Sequence, residues 1–355
     1  MLTILKLKTY FCEVEIHQKY MQRCIQIAKN GIAAALPNPS VGAVVVYNDQ
    51  IIGEGFTSPY GGLHAEVNAI NAVKDKKLLK KATIYVSLEP CSHFGKTPPC
   101  CDLILKHEIP CIVIGCQDPN SLVSGKSIQK LKEAGRTVII GLLETECRES
   151  NKRFFTFHLK KRPYIILKWA ESLDGFIAPA EEMRKSKNKN KKEPFWISNT
   201  YSRQLTHKWR SEEQAILIGT QTAIDDNPKL DVRDWYGKNP VKIVLDRNNR
   251  IPKENYIFGN QSNVVVLSAL DLNLKNKIGA QIAQLLFEKK ITSVIIEGGR
   301  QTLQTFIDEN LWDEARVFRG QSLLNGGLKA PELKGKLMAS KAIFNDELLI
   351  YKNHD

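Results

Sequence analysis

The first half of this chain contains His64-Ala65-Glu66, Pro90-Cys91 and Cys100. We infer the fold of this half from these residues. One histidine and two cysteines suit tetrahedral zinc, and three protein ligands leave a fourth position open. Because Glu66 is two residues from His64 at the predicted start of a helix, its carboxylate can face a water at that position without binding the metal. The spacing therefore predicts a catalytic zinc site in a layered α/β domain.

A structural zinc site is the alternative interpretation of the same residues. Cys101 or His93 would then supply a fourth ligand and close the coordination sphere. That alternative leaves the position of Glu66 beside the metal unexplained, whereas proton transfer by a carboxylate explains it. If the zinc is purely structural, Glu66→Gln leaves the activity intact.

The composition is that of a globular protein of about two domains, since the chain has 355 residues with 43% hydrophobic and 25% charged side chains. No stretch approaches about 18 uninterrupted apolar residues, so we expect no membrane association and a cytoplasmic location. All eight cysteines lie within the first 147 residues. In a reducing compartment such clustering indicates metal binding or catalysis rather than a disulfide scaffold.

The net charge of +13 is concentrated in the second half, where residues 184–192 hold six basic and no acidic side chains. Such a field attracts phosphorylated substrates or nucleic acid, although a solvated, mobile surface loop accounts for it as well. No aromatic residue interrupts the run to stack on bases. We therefore expect no nucleic-acid partner, and a nucleic-acid-binding or nucleic-acid-deaminating zinc protein remains an alternative.

Helical patterns alternate with short apolar runs along the whole chain, which predicts two layered α/β domains. In the first half, helices are expected at 17–30, 64–74, after Pro98-Pro99 and at 127–134, with strands at 41–47, 51–56, 83–88, 111–116 and 137–140. A helical stretch at 144–158 joins the halves. In the second half, strands are expected at 164–170, 215–218, 241–245, 264–267, 293–296 and 315–318, with helices at 200–210, 278–289 and 302–309.

The second half contains one candidate ligand-binding turn, Glu297-Gly298-Gly299-Arg300. It lies between the end of a predicted strand and the start of a predicted helix. Glycines let a ligand approach the backbone, and a helix N-terminus attracts phosphate. A tight turn without a ligand explains the same residues. The dinucleotide fingerprint G-x-G-x-x-G is absent, so the sequence does not indicate a Rossmann domain.

The zinc loop Leu88–Cys101 places eight residues between its two cysteine ligands, where zinc deaminases commonly have two. This loop, together with Pro37–Gly42 and Gln117–Asn120, closely resembles the bifunctional riboflavin-biosynthesis deaminase/reductase family. In the second half the resemblance continues through Pro163–Lys168, Ser172–Gly175, Trp196–Ser198, Ala215–Gly219, Asp225–Leu230 and Glu297–Gly299. It extends over about residues 17 to 350.

The resemblance implies a cytidine-deaminase-like three-layer α/β domain at 15–160 and a dihydrofolate-reductase-like α/β domain at 161–355, with a basic insertion at about 181–193. It implies hydrolytic deamination of a phosphorylated diaminopyrimidinone, followed by NADPH-dependent reduction of its ribosyl group to a ribityl chain. A deaminase with an inactive reductase half is the alternative within the family. The family also implies a homo-oligomer, either a dimer or a tetramer.

The site residues implied by the resemblance fall into four groups. One zinc ion per chain is expected on the metal ligands His64, Cys91 and Cys100. The residues nearest the reacting centres are expected to be Glu66, Lys168, Asp226 and Glu297. Substrate-binding positions are matched by Asn38, Lys96, Asp118, Asn120, Arg210, Leu230 and Arg233. NADPH-binding positions are matched by Ala170, Trp196, Thr222, Asp226, Gly298, Gly299, Arg300, Gln301, Thr302 and Leu303.

Overall fold

The computed structural model describes residues 2–94, 98–120, 123–180, 195–259, 263–273 and 275–354, with side chains described from residue 15 onward. The chain divides into two compact units, residues 1–160 and 161–355. Each unit holds its own sheet and its own apolar core. The basic run at 184–192 lies outside the described residues. No helix in the described part of the chain is long and apolar enough to cross a membrane.

The first unit is built on a five-stranded sheet in the order β2-β1-β3-β4-β5. Its strands are β1 (Gly42–Tyr47), β2 (Gln50–Phe56), β3 (Thr83–Leu88), β4 (Cys111–Cys116) and β5 (Thr137–Ile140). Its helices are α1 (Leu2–Ala28), α2 (Ile32–Ala35), α3 (Ala65–Ala72), α4 (Cys100–Lys106), α5 (Lys126–Glu133), α6 (Glu144–Ser150) and α7 (Lys152–Lys160). Strand β1 pairs antiparallel with β2 and β3, whereas β3, β4 and β5 run parallel.

The central strands of this sheet are continuous apolar runs, as expected of strands covered on both faces. The runs GAVVVY of β1 and TIYVSL of β3 are almost fully buried. Helix α1 contacts β1 and β3, and helix α3 contacts β1 and β2. The parallel strands β3 and β4 end at the same edge of the sheet. The predicted zinc ligand Cys91 follows β3, and the predicted substrate residues Asp118 and Asn120 follow β4.

The second unit contains an eight-stranded sheet in the order β10-β9-β8-β11-β6-β12-β15-β14. Its main strands are β6 (Tyr164–Glu171), β8 (Ala215–Gly219), β9 (Val241–Leu245), β10 (Val264–Leu267), β11 (Ser293–Ile296), β12 (Glu314–Arg319), β14 (Lys336–Ile343) and β15 (Asp346–Lys352). Strands β7 (Phe176–Pro179) and β13 (Gly327–Lys329) form a separate pair. The helices are α8 (Thr200–Glu212), α9 (Thr220–Asp226), α10 (Ile278–Glu288) and α11 (Arg300–Asp308).

The six strands from β10 to β12 are parallel, and β15 and β14 add an antiparallel edge. Alternate residues of β6 enter different cores, because Ile165 and Leu167 belong to one cluster and Tyr164 and Ile166 to another. The sheet is therefore covered on both faces. Its parallel strands bring the carboxyl ends of β6, β8 and β11 to one edge.

The structure corrects several element predictions. Helix α1 begins at Leu2 instead of residue 17, and the helix predicted at 144–158 is two helices separated at Asn151. The sequence analysis missed helices α2 and α9 and strands β7, β13, β14 and β15. Strand β14 is exposed over most of its length, so no buried alternation marks it, and only its pairing with β15 makes it a strand.

Candidate active sites

The three predicted zinc ligands come from three separate segments of the first unit. His64 is the N-cap residue of α3, Cys91 lies three residues beyond the end of β3, and Cys100 is the first residue of α4. His64 Nδ1 lies 3.5 Å from Cys91 Sγ and 3.3 Å from Cys100 Sγ. The three ligand atoms lie within 4.8 Å of one another. The fold thus brings together residues that are far apart in sequence.

These distances fit a zinc ion. Zinc bonds to sulfur at about 2.3 Å and to nitrogen at about 2.0–2.1 Å, so a tetrahedral site places the sulfur and nitrogen atoms about 3.5 Å apart. Among the residues that the structure describes, His64, Cys91 and Cys100 are the only histidine, cysteine and acidic side chains grouped in this way. A borderline-soft set of one nitrogen and two sulfurs is a donor set that selects zinc over harder cations.

The surroundings of the Cys91 sulfur favour its thiolate form. Cys100 donates to it from its thiol and from its backbone N–H, the latter over 3.2 Å, and His64 lies on its other side. Together these contacts lower the pKa of Cys91 below the usual value of a thiol. The hydrogen bond to Cys91 and burial raise the pKa of Cys100.

Glu66 lies in the first turn of α3, where a negative charge is favoured by the helix dipole. Its side chain is buried, with 4% of the residue exposed. Burial, with the negative charge of Cys91, raises the pKa of Glu66 to about 7. A buried carboxyl next to a metal-ligand cluster is what a deaminase needs to carry protons.

Neither proposed fourth ligand of a structural site joins this cluster. Cys101 is buried with its thiol directed at Asp102 Oδ1, 3.5 Å away, and burial raises its pKa to about 12. His93 is exposed in the loop after β3. Within the described residues, the three ligands therefore leave the fourth coordination position of a tetrahedral metal site open.

Two of the predicted substrate residues of the first unit follow strand β4. Asp118 is 8% exposed and accepts the backbone N–H of Asn120 over 2.7 Å. Burial, together with the charge of Glu89, raises the pKa of Asp118 to about 6. Asn38 is half-buried after α2, where its backbone N–H donates to Ala35. Lys96 lies outside the described residues.

The predicted polar residues of the second unit include a buried ionic trio. Arg210 on α8 binds both carboxylate oxygens of Glu297, over 2.9 and 2.8 Å. Lys168 Nζ on β6 lies 3.7 Å from the same carboxylate. Burial alone would raise the pKa of Glu297, but the charges of Arg210 and Lys168 lower it to about 2. Burial lowers the pKa of Lys168, and Glu297 opposes that effect.

The predicted cofactor turn packs tightly against the end of the neighbouring strand. A Cβ atom on Gly298 would lie 2.5 Å from the Cα atom of Ile218 and 2.6 Å from the backbone nitrogen of Gly219. The backbone N–H of Gly299 donates to Thr222 Oγ1 over 2.8 Å. Arg300 opens helix α11, and its buried Nε has no hydrogen-bond partner. The Nη2 atom of the same guanidinium lies 3.9 Å from Glu332. A cationic side chain at the N-terminus of a helix suits a phosphate group.

The other predicted residues of the second unit occupy varied environments. Trp196 is 55% exposed, with the Arg203 guanidinium 4.5 Å from its ring centre. Leu230 is buried in the apolar core with a left-handed φ of 52°.

The remaining predicted residues lie on or near the helices and strands around the proposed sites. Asp226 is exposed at the end of α9, and Arg233 pairs with Asp231 over 2.7 Å. Thr302 and Leu303 are buried in α11, Gln301 is exposed and Ala170 is half-buried on β6.

Glu89 is the residue of interest that the sequence analysis did not select. It is 3% exposed and accepts the backbone N–H of Asp118 over 3.3 Å. Its position immediately before Pro90-Cys91 was the available signal, but the sequence alone does not say where a carboxylate points.

The fold and the cluster define the first unit as a deaminase of the zinc-binding type, joined to a second catalytic unit. Residues 14–116 match the family model of the cytidine and deoxycytidylate deaminase zinc-binding region, and residues 163–342 match that of the RibD C-terminal domain. The chain is 37% identical over 340 residues to riboflavin biosynthesis protein RibD of Aquifex aeolicus, which covers 90% of this chain and 91% of that protein.

Solved structures agree with the sequence relatives. RibD of Acinetobacter baumannii superposes with a TM-score of 0.86 at 32% identity, covering 96% of this chain and 100% of that one. A deaminase/reductase of Thermotoga maritima superposes with a TM-score of 0.85 at 33% identity and covers the same shares. The chain belongs to the RibD family and is a bifunctional deaminase and reductase of riboflavin biosynthesis. The family prediction is confirmed, as is its α/β fold.

Proposed function

We propose that the first unit hydrolytically deaminates 2,5-diamino-6-(5-phosphoribosylamino)pyrimidin-4-one and that the second unit then reduces the ribosyl group with NADPH. The observation that carries the proposal is the buried Glu66 carboxyl beside the cluster of His64, Cys91 and Cys100. The Thermotoga maritima relative is described as a diaminohydroxyphosphoribosylaminopyrimidine deaminase and 5-amino-6-(5-phosphoribosylamino)uracil reductase. Its description supports the same two substrates here.

In the first unit, one zinc ion per chain would be held by His64, Cys91 and Cys100. When bound, zinc supplies a Lewis acid that activates water for attack on the ring carbon bearing the amine. Glu66 would take a proton from the attacking water and deliver it to the leaving nitrogen, so that the amine departs as ammonia. The burial of Glu66 keeps bulk water away from the proton while it is carried.

The substrate is held by polar groups around that centre. Asn38 and Asn120 each offer a donor and an acceptor to the edge of a heterocycle. Asp118 accepts from substrate N–H or O–H groups, and Lys96 meets the phosphate as a point charge. The support for Asp118 and Asn120 is their shared turn at the end of β4, the strand next to β3.

In the second unit, the Gly298–Leu303 segment, Ala170, Trp196, Thr222 and Asp226 would hold NADPH. When bound, NADPH supplies the hydride that reduces the opened ribose. Lys168 places its ammonium where negative charge develops as the hydride adds, and Glu297 fixes the position of that ammonium. Arg210, Leu230 and Arg233 are proposed to contact the substrate. We also propose that the protein is a cytoplasmic homo-oligomer, either a dimer or a tetramer. Light scattering in solution measures the number of chains.

Removal of zinc tests the proposal for the first unit. Treatment with 1,10-phenanthroline should abolish ammonia release, and added Zn²⁺ should restore it, while NADPH oxidation with the deaminated pyrimidine stays unchanged. The neighbouring cysteines give a matched pair: Cys100→Ser should lose the metal and Cys101→Ser should keep it. Retention of ammonia release after chelation, or equal metal loss in both variants, would overturn the proposal.

A further inference from the structure

Glu89 is a buried carboxylate that the chemistry described above does not use. It follows the end of β3, and its backbone N–H donates to the carbonyl of Cys116 at the end of β4 over 2.9 Å. The residue is 3% exposed. Removing a carboxylate from water is unfavourable in free energy, so a buried one needs hydrogen bonds that offset the lost hydration.

The hydrogen bonds of Glu89 all reach across to the segment after β4. Its Oε2 accepts the backbone N–H of Asp118 over 3.3 Å and that of Gly125 over 3.0 Å. Its Oε1 accepts the hydroxyl of Ser127 over 2.8 Å. Gly125 has a φ of 77°, a left-handed conformation that favours glycine. These donors are neutral, and no ion pair to Glu89 is found in the described part of the chain.

The turn that Glu89 holds is the one that carries two proposed substrate residues. Asp118 Oδ1 accepts the N–H of Asn120 over 2.7 Å, so fixing the backbone of Asp118 also fixes Asn120. Two residues beyond Glu89 along the chain is the zinc ligand Cys91. One side chain thus connects the metal-ligand segment to the substrate segment.

We propose that Glu89 is a positioning residue that sets the Asp118–Asn120 turn at the correct distance from the zinc ligands for the pyrimidine to bind. It does so by accepting the N–H groups of Asp118 and Gly125. This inference rests on the proposed substrate-binding role of Asp118 and Asn120. A role confined to the turn affects substrate affinity, whereas a role in holding Cys91 would affect metal content and turnover.

Three substitutions of Glu89, made in the full-length zinc-loaded enzyme, test the proposal. Glu89→Gln keeps an oxygen for both N–H groups, and Ser127 can rotate to accept from its amide, so KM for deamination should stay within about twofold. Glu89→Asp keeps the charge but is one methylene too short, and KM should rise about three- to tenfold. Glu89→Leu removes both acceptors, and KM should rise at least tenfold. In all three, kcat should change less than threefold.

Zinc content and the reductase reaction are the controls in the same molecules. Both should equal the wild-type values, because neither depends on the Asp118 turn. An unchanged KM in Glu89→Asp and Glu89→Leu would overturn the inference, as would a fall in kcat that parallels a loss of zinc. If Glu89→Leu does not fold, the other two variants still test the inference. It predicts a lower KM for Glu89→Gln than for Glu89→Asp, and the opposite order would overturn it.

The parallel variants Asp118→Ala and Asn120→Ala separate this inference from the proposal on which it rests. If they raise KM and the Glu89 variants do not, the positioning role is wrong and the substrate role stands. If they leave KM unchanged, the substrate role itself is wrong, and with it the reason for holding the turn.

Discussion

At the scale of single residues, the buried Arg210–Glu297 pair has a large energetic consequence. The two side chains are 11% and 8% exposed, and the guanidinium meets the carboxylate with two parallel hydrogen bonds. Removing one partner of a buried pair costs about 3–5 kcal/mol, and Lys168, 3.7 Å from Glu297, offsets only part of that cost when Arg210 is lost. The pair therefore makes the second unit sensitive to substitutions that leave its apolar core untouched.

We predict that Arg210→Ala lowers the free energy of unfolding of the second unit by about 3–5 kcal/mol. Lys208→Ala on the same helix removes a partly exposed 3.9 Å pair with Glu212 and an ammonium 5.6 Å from the centre of the Trp235 ring, and should cost about 1 kcal/mol or less. Urea unfolding followed by tryptophan fluorescence measures both, because all five tryptophans lie in the second unit. Equal losses in the two variants would contradict the prediction.

Glu297 also predicts how stability depends on pH. Its pKa in the folded protein is about 2, below the usual value of 4.5, so its contribution is complete above about pH 4.5 and is lost as the pH falls toward 2. Glu297→Gln removes this titration. Between about pH 5 and pH 3, wild-type stability should fall more steeply than that of the variant, by a difference approaching about 3 kcal/mol at low pH. Parallel curves in urea titrations would show that Glu297 is not held ionised by its partners.

Residue identities were partly predictable at this scale. His64, Cys91 and Cys100 could be chosen from sequence because ligand chemistry and spacing restrict a zinc site. The pairing of Arg210 with Glu297 could not be predicted from sequence, since the two residues are 87 positions apart. Any acidic residue at the same edge of the sheet could equally have paired with the arginine. Glu89 was missed for the same reason, because its role lies in where its oxygens point.

At the scale of elements, the junction between β11 and α11 depends on the absence of a side chain at Gly298. The atoms that a Cβ would meet belong to the backbone of Ile218 and Gly219 at the end of β8. Backbone atoms in paired parallel strands cannot move aside cheaply. The glycine thus allows two strand ends to approach at the proposed cofactor site.

We predict that Gly298→Ala lowers NADPH oxidation at least tenfold and destabilises the second unit by about 1–3 kcal/mol. Ammonia release by the first unit should be unchanged. Gly259→Ala is the control, since its Cβ would meet only the Tyr256 carbonyl at an ordinary 3.4 Å, and should retain full activity. Steady-state assays of both reactions on each variant check this, and a Gly298→Ala enzyme with normal NADPH oxidation would contradict it.

Element predictions succeeded where burial leaves a pattern and failed where it does not. Strands β3, β4, β5, β9, β10 and β11 have the predicted bounds, because apolar runs between turns mark covered strands. Strand β14 and the pair β7 and β13 are short or exposed. Their hydrogen-bond partners define them, and those partners cannot be identified from local sequence.

At the scale of the whole molecule, one chain carries two compact units with different chemistries. The match to a deaminase zinc-binding region ends at residue 116, and the match to the RibD C-terminal domain begins at residue 163. We infer that the deamination product of the first unit is the substrate of the second. The order of the two reactions is then the central claim about this enzyme.

The most direct test of that claim is NADPH oxidation by zinc-loaded enzyme, started with the diaminopyrimidinone and compared between the wild type and Glu66→Gln. The wild type should release ammonia before it oxidises NADPH, in equal amounts. Glu66→Gln should do neither with this substrate, yet should oxidise NADPH at the wild-type rate with the deaminated pyrimidine. NADPH oxidation by Glu66→Gln from the diaminopyrimidinone would contradict the account, and so would wild-type ammonia release without any NADPH oxidation.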